Sequence, residues 1–343
     1  PSMATKNTNA ISLIDTFAEF KETKNIDRAT LVSVLEESFR GAIARLFGSD
    51  ENYSVIVNPD KGDFEIYRDR VIVEDGEVQD PNKEISLSEA RQIDDDFEVG
   101  EEVTEPIDFA KFGRRAILTL RQTLASKILD LEHDNLYNEY KDKVGTIVSG
   151  EVHNVWKNEM LILDENDREL LLPKKEQIPG DYFRKGDIVR AVVARVDNTS
   201  GVPKIYLSRT SPIFLQRLLE NEVPELADGL IAIKKISRLP GRRAKIAVES
   251  YDDRIDPVGA CVGVKGSRVH GIVRELRGEN LDVIPWTTNI ELLISRTLQP
   301  AHINSIKLYS ETDNEGFVHN HAEVDLYPEQ VSLAIAKSVA NIK

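Results

Sequence analysis

Apolar and polar positions alternate along this chain in two rhythms, and the change from one to the other marks its elements. Leu31, Leu35, Phe39, Ile43 and Leu46 recur three or four residues apart, which predicts an amphipathic helix that Gly48 can stop. "YSVIVNPDKGDFEIYRDRVIVED" reads as two strand runs with turn chemistry at 58–62, and "SLSEARQIDDDF" as a short helix behind a serine cap. A long helix is expected at about 109–140, with Ile117, Leu120, Leu124, Ile128 and Leu131 as its apolar stripe. Residues 143–209 change to short β-runs, "GTIVSGEVHNV", "EMLILD", "RELLLP", "DIVRAVVARVD" and "PKIYLSR", whose number and spacing suggest a small closed barrel. Beyond 229, "LIAIKKISRLPGRRAKIAVESYD" reads as a β-hairpin turning at Leu239, Pro240 and Gly241, and "LDVIPW" as a later strand. Two helices are expected between them. Asp256 can cap the first, with Pro257 in its first position and Gly263 at its end. The second starts near Ser267, buries Val269, Ile272, Val273 and Leu276, and ends at Gly278. "INSIKLYS" and "HAEVDLYP" are strand-like, and Pro328 opens "PEQVSLAIA" as a helix.

Composition narrows the class. A chain of 343 residues exceeds what one core usually organises, so two to four domains are expected. Hydrophobic residues make up 41% and charged residues 30%, and no apolar run approaches the ~18 residues of a membrane span, which reads as a soluble globular protein without a membrane partner. "PSMATKNTNA" lacks the basic and apolar regions of a secretory signal, and Pro1 and Ser2 before Met3 look like an addition left by cloning. Cys261 has no second cysteine for a disulfide or a zinc site, which fits the reducing cytoplasm. No coiled-coil heptad suggests self-association, so a monomer is expected.

The net charge of −15 is unevenly spread, with −14 on residues 1–142, +1 on 143–209 and +4 on 229–300. The acidic first part therefore suits a protein partner, although Lys111, Arg114, Arg115 and Arg121 give the long helix a basic first half that could face solvent, RNA or an acidic protein. The basic segment holds "CVGVKGSRVHGIVRELRG". Its two glycines let a backbone approach closely, the N–H groups of the following helix point into the same space, and Lys265 with Arg268 add positive charge. A phosphodiester fits there. In this context Gly263, Val264, Lys265 and Gly266 read as the GXXG loop of a KH module, which clamps about four nucleotides of single-stranded RNA. Lys234, Lys235, Arg238, Arg242, Arg243 and Lys245 cluster on the preceding hairpin. Nucleotide phosphate loops fail on order, because Gly259, Gly263 and Gly266 do not match G-x-G-x-x-G and Lys265 precedes a glycine. Ala336, Lys337, Ser338 and Val339 stand where a second such loop would be, with one positive charge and no glycine.

No catalytic residue, cofactor or metal is expected. Asp252, Asp253 and Asp256 could be imagined around Mg²⁺, but helix capping and loop solvation account for them. His319 and His321 share a strand face without a third ligand, and Cys261 has no histidine–carboxylate relay beside it. Trp156 and Trp286 read equally as packing anchors and as stacking groups.

Residues 143–209 resemble an S1-type OB-fold through Gly145, Gly150-Glu151-Val152, "LLLP" with Glu176 beyond it, "KGD" at 185–187 and the closing Leu207-Ser208-Arg209. RNA-binding S1 domains stack bases on aromatics of their second and third strands and on a histidine. Asn158, Leu161 and Pro173 stand at those places here, with Trp156 and His153 close by, so a scaffold role remains open beside RNA binding. With "RAKIAVESYDDRIDPVGACVGVKGSRVHGIVREL" and "LLLPKKEQIPGDYFRKGDIVRA", the whole chain is similar to the NusA family of bacterial transcription termination/antitermination proteins. The resemblance implies a multidomain α+β protein: a helix–strand N-terminal domain over 1–142, the S1 barrel over 143–209, a type II-like KH module with its linker over 210–300, and a second, truncated KH module over 301–343. It implies an RNA polymerase accessory factor, not an enzyme, that modulates elongation, pausing, termination and antitermination. Its partners would be core polymerase, nascent single-stranded RNA and other Nus-type transcription factors. The family's RNA contacts carry over to Gly263, Val264, Lys265, Gly266, Ser267 and Arg268, and beyond them to Arg242, Arg243, Lys245 and Lys337. Lys111, Arg114, Arg115 and Arg121 would face polymerase or its RNA exit channel. An S1/KH RNA binder of translation, ribosome assembly or RNA processing is the alternative.

Overall fold

The computed structural model describes residues 27–58, 63–109 and 113–335. It divides into two compact units, Pro1–Leu136 and Tyr137–Lys343. The expected turn after Asn58, the first residues "PSMATKNTNA", Lys111, and Lys337 with its neighbours Ala336, Ser338 and Val339 lie outside the described residues.

In the first unit α1 (Arg28–Phe47) begins at Asp27, whose carboxylate accepts the Thr30 amide at 2.8 Å, and ends at Gly48. Leu31, Leu35, Phe39 and Ile43 are buried as their spacing predicts, whereas Leu46 is 45% exposed. Phe47 takes the last inward place and stacks on Tyr53 at 5.6 Å. The helix covers a sheet in which β2 (Asp63–Val73) pairs with β1 (Tyr53–Asn58), β3 (Glu84–Ser86) and β4 (Glu102–Ile107). The sequence reading leaves out β3 and β4. Their charged residues and Pro106 mask strands whose Ile85 and Val103 nevertheless face a small core with Ile72 and Ala90. Ser86 caps α2 (Leu87–Ile93), as expected. The long helix α3 (Arg114–Lys141) buries Ile117, Leu120, Leu124 and Ile128 beside α1, where Phe39 meets Phe109 edge-on at 5.5 Å.

In the second unit β5 (Ile147–Val155), β6 (Glu159–Leu163), β7 (Glu169–Pro173), β8 (Ile188–Asp197) and β9 (Lys204–Ser208) close into a barrel in the order β5-β6-β7-β9-β8. Its interior is made by alternate residues such as Val152, Met160, Ile162, Leu170, Val189 and Ile205. A second layer follows. α4 (Pro212–Glu222) and α5 (Pro224–Ala227) precede the hairpin of β10 (Ile231–Leu239) and β11 (Arg243–Ser250), then come α6 (Pro257–Val262), α7 (Ser267–Glu275) and β12 (Asn280–Pro285). β12 lies parallel to β11. Phe214, Leu218, Ile246, Val248, Ile272 and Leu276 bury the helices on one face of that sheet, and Ile178 and Val192 of the barrel join the same core. α8 (Ile290–Leu298), not anticipated from sequence, lies beyond β12, and β13 (Ser305–Thr312), β14 (Val318–Asp325) and α9 (Pro328–Ile335) follow. The α+β architecture read from the sequence is therefore the one observed.

Candidate nucleic-acid interface

The glycine loop is built by two helix ends. Asp256 accepts the Val258 amide at 3.2 Å and Pro257 occupies the first turn of α6, so the helix starts where expected and stops at Gly263. Gly263 has φ 77° and Gly266 φ 76°, both in the left-handed half of the map. A Cβ on Gly263 would come within 2.8 Å of Ser267 Oγ and 3.0 Å of the Arg268 nitrogen, so neither the backbone conformation nor the space admits a side chain. At Gly266 a Cβ would lie 3.1 Å from His270 Nε2. Between them Val264 is 82% exposed, and Lys265, itself at φ 53°, is exposed with no ion pair among the described residues. α7 opens at Gly266 without a side-chain cap, so no side chain offsets the positive end of the helix at the loop.

Arg268 is placed differently from its expected role. Its Nη1 donates to Glu225 Oε2 at 2.8 Å and to the Ala260 carbonyl at 2.6 Å, tying α7 to α5 and to the end of α6. The Glu225 carboxyl is held below the usual carboxylate range, first by its own backbone amide, with Arg268 helping to offset partial burial. Glu225 was not singled out in sequence. Its signal would have been Pro224-Glu225 opening a one-turn helix.

The basic hairpin does not surround the loop either. Its turn sits at the other end of α7: the Gly241 amide donates to Glu279 at 2.7 Å, past the nine residues of α7, about 14 Å of helix. Arg238 is buried against Glu279, its Nε reaching the carboxylate at 2.9 Å, with desolvation pulling the guanidinium's pKa down. Lys245 is 4% exposed and holds Asp282 at 2.8 Å and the Gln299 carbonyl at 3.0 Å. The physical reason is coverage: β11 is buried on both faces, so its alternate residues are not a solvent-facing row. Arg242 is exposed, and Arg243 lies 3.6 Å from Asp282. Of the expected contacts, the structure brings together Gly263, Val264, Lys265, Gly266 and Ser267 around one convex turn.

On the barrel, Trp156 is 47% exposed at the β5–β6 turn, His153 and Asn158 are exposed, Leu161 is buried and Pro173 half-buried. In the first unit Arg114, Arg115 and Arg121 are exposed along α3 beside Leu118, which is 55% exposed. Two of the three acids near the loop are occupied, and Asp253 is exposed. Asp256 is a cap, and the Arg254 side chain holds the Asp252 carboxyl below its ordinary range. His319 bonds Asp313 at 2.8 Å, His321 stacks on Tyr309 at 5.2 Å, and no group of three metal-ligating side chains occurs among the described residues. Cys261 is buried, which pushes its thiol up to about 11. No helix among them is long and apolar enough to cross a membrane.

Comparison with known proteins supplies the context for this loop. A family profile described as the NusA N-terminal domain matches residues 12–134, and one described as the NusA-like first KH domain matches 209–286. The transcription termination/antitermination protein NusA of Thermus thermophilus is 34% identical over 341 residues, 95% of this chain and 86% of the relative. The Bacillus subtilis protein of the same name is 32% identical over 332 residues, 96% of this chain and 86% of the relative. A solution structure of the NusA N-terminal domain from B. subtilis is similar over 36% of this chain and 98% of that chain, with 26% identity and a TM-score of 0.27.

Proposed function

The chain belongs to the NusA family of transcription termination/antitermination proteins, and from that premise we propose that it is an RNA-binding accessory factor of RNA polymerase acting on elongation, pausing, termination and antitermination. The observation that carries the RNA side is the turn at 263–266, where both glycines hold left-handed backbone, Gly263 has no room for a side chain, and Lys265 stands exposed at the start of α7. A phosphodiester backbone can approach such a turn to hydrogen-bonding distance, and the helix end and the ammonium both favour its charge. Gly263, Val264, Lys265, Gly266 and Ser267 form the clamp. Arg242 and Arg243 lie at the far end of α7, where they would meet RNA outside the loop. We assign the exposed face of α3 around Arg114, Arg115 and Arg121 to polymerase, in the cytoplasm, with the chain acting as a monomer, without a catalytic step, and beside other transcription factors of its kind. The domain limits at 142, 209 and 300 are proposed with this reading.

The test is the affinity of a short single-stranded RNA for the full chain and for its Val264→Asp/Lys265→Asp variant across a salt series. Both positions are at a loop tip, so circular dichroism should be unchanged while binding drops at least a hundredfold. The parent's affinity should fall with salt, because cation–phosphate contacts release counterions. Equal affinities in two folded chains would remove the clamp from the reading. Retention of core polymerase by the full chain, weakened by Arg114→Glu/Arg115→Glu, tests the other face.

A further inference from the structure

Given that the glycine loop is an RNA clamp, we propose that His270 is its protonation-controlled contact: the neutral imidazole holds a phosphate weakly and the imidazolium holds it as a second cation beside Lys265. RNA binding then takes up a proton, and the clamp tightens as the solution is acidified through the range in which histidine gains its charge.

The placement follows from helix geometry. Residues four apart lie on one face of a helix, and a helical side chain leans back toward the N-terminal end. His270, four residues past Gly266 on α7, therefore reaches back over the loop. A Cβ built on Gly266 would stand 3.1 Å from its Nε2 and 3.3 Å from its Cδ2, so the edge of the imidazole occupies the room that this glycine leaves. Ser267, four residues past Gly263, is placed the same way, with its Oγ 2.8 Å from where a Cβ on Gly263 would stand. Each glycine of the loop is thus backed by an exposed polar side chain of α7 that can hydrogen-bond a phosphate oxygen. The sequence reading names Ser267 and leaves out His270, whose place at the loop depends on the Cβ that Gly266 lacks.

The charges around the imidazole are one-sided. His270 has no hydrogen bond or ion pair among the described residues. Lys265 on the loop and Arg274 one turn along α7 are both exposed. The acids of the neighbouring helices are engaged: Glu225 of α5 accepts from Arg268 at 2.8 Å, and Asp256 caps α6 through the Val258 amide. In the segment before α6, Asp252 pairs with Arg254 and Asp253 is exposed, and within α6 Cys261 is buried. The uncapped start of α7 adds its own positive end. A phosphate in the loop is the anion that offsets an imidazolium in such surroundings, and the coupling is reciprocal, so bound RNA favours the proton as the proton favours RNA.

The experiment measures the affinity of a short single-stranded RNA for the full chain from about pH 8 to about pH 5.5. The RNA carries hydroxyl ends, because a terminal phosphate monoester itself titrates near about pH 6. Parent affinity should rise about threefold to tenfold over that range, the difference between a neutral and a charge-assisted hydrogen bond, and the salt slope should steepen by about one. His270→Gln, which keeps a donor without a titrating charge, should bind at every pH as the parent does at pH about 8, and His270→Lys should bind throughout as the parent does in acid. Calorimetry in buffers of different ionisation enthalpy should show proton uptake with the parent and less with His270→Gln. The chain's other histidines are common to both, so the difference between the two profiles reads His270 alone. A His270→Gln chain that keeps the parent's pH dependence would overturn the proposal, and so would a loss of affinity equal at every pH, the mark of an imidazole that only packs on the turn. The Val264→Asp/Lys265→Asp variant reads the clamp separately: if it binds as the parent does, the clamp itself fails, whatever His270 does.

Discussion

At Arg268 a residue expected to meet phosphate is already holding two protein groups, Glu225 and the Ala260 carbonyl. A guanidinium so engaged positions the loop: it locks the end of α6 against the start of α7 and fixes the distance the two glycines must span. The two roles predict opposite results for Glu225→Gln. If Arg268 is a brace, loosening it should weaken RNA binding several-fold without changing the salt slope. If it is a phosphate contact, freeing it should preserve or raise affinity, and Arg268→Gln should lower the slope by about one. The brace also sets a pH limit. Glu225 titrates below its ordinary value, through its own backbone amide first and Arg268 after it, so its contribution is complete above the unfolded carboxylate range of about 4.3 and is lost as pH falls through the lower folded pKa. RNA affinity of the parent should therefore fall at the acid end of a pH series, and the Glu225→Gln chain should lack that limb.

The helix–loop–helix element was legible because its instructions are local. Asp256-Pro257 starts one helix, Gly263 stops it, and the periodic Ile272 and Leu276 bury the next. Local rules also predict how its glycines differ. Gly263→Ala, which meets both a left-handed backbone and filled space, should cost about 1–3 kcal/mol in urea unfolding of the full chain. Gly271→Ala, mid-helix in open space, should gain up to about 1 kcal/mol. Cys261, one residue past the carbonyl that Arg268 holds, reports on the same element. Burial raises its thiol to about 11, so near pH 8 it should react with a disulfide reagent only when α6 opens, and faster in Arg268→Gln. What was not legible depended on partners distant in sequence. Arg238 and Lys245 read as surface cations because nothing local says that Glu279, Asp282 and Gln299 will close over them. α8 was readable in principle, since Asn289 caps a run that includes the apolar Leu293 and Ile294, but the packing of Ile294 and Leu298 with Ala301, Val324 and Ala334 was not.

Across the second unit, the barrel and the sheet module share an apolar core and, beside it, a buried arginine that bonds to both. Arg209 is 1% exposed and uses all five of its N–H donors: two on Asp181, one each on the Arg190 and Glu275 carbonyls, and one on the Glu275 carboxylate. Its acceptors come from the barrel and from the end of α7, so a full set of bonds exists only when the two are docked. The sequence presents Arg209 as the closing residue of a barrel motif, and its partner 66 positions away cannot be read from that. A buried charge that loses its partner is costly, typically about 3–5 kcal/mol, because desolvation persists after the attraction has gone. Asp181→Ala should therefore destabilise more than Arg209→Met, which removes the charge with the bonds and leaves a side chain of similar length. If the knot couples the two modules, Asp181→Ala should also split urea unfolding of the full chain into two transitions, reported separately by Trp156 on the barrel and Trp286 beyond β12. A single transition, lowered in midpoint for both tryptophans alike, would show instead that the shared apolar core around Ile178, Val192 and Phe214 is sufficient to keep barrel and sheet module together.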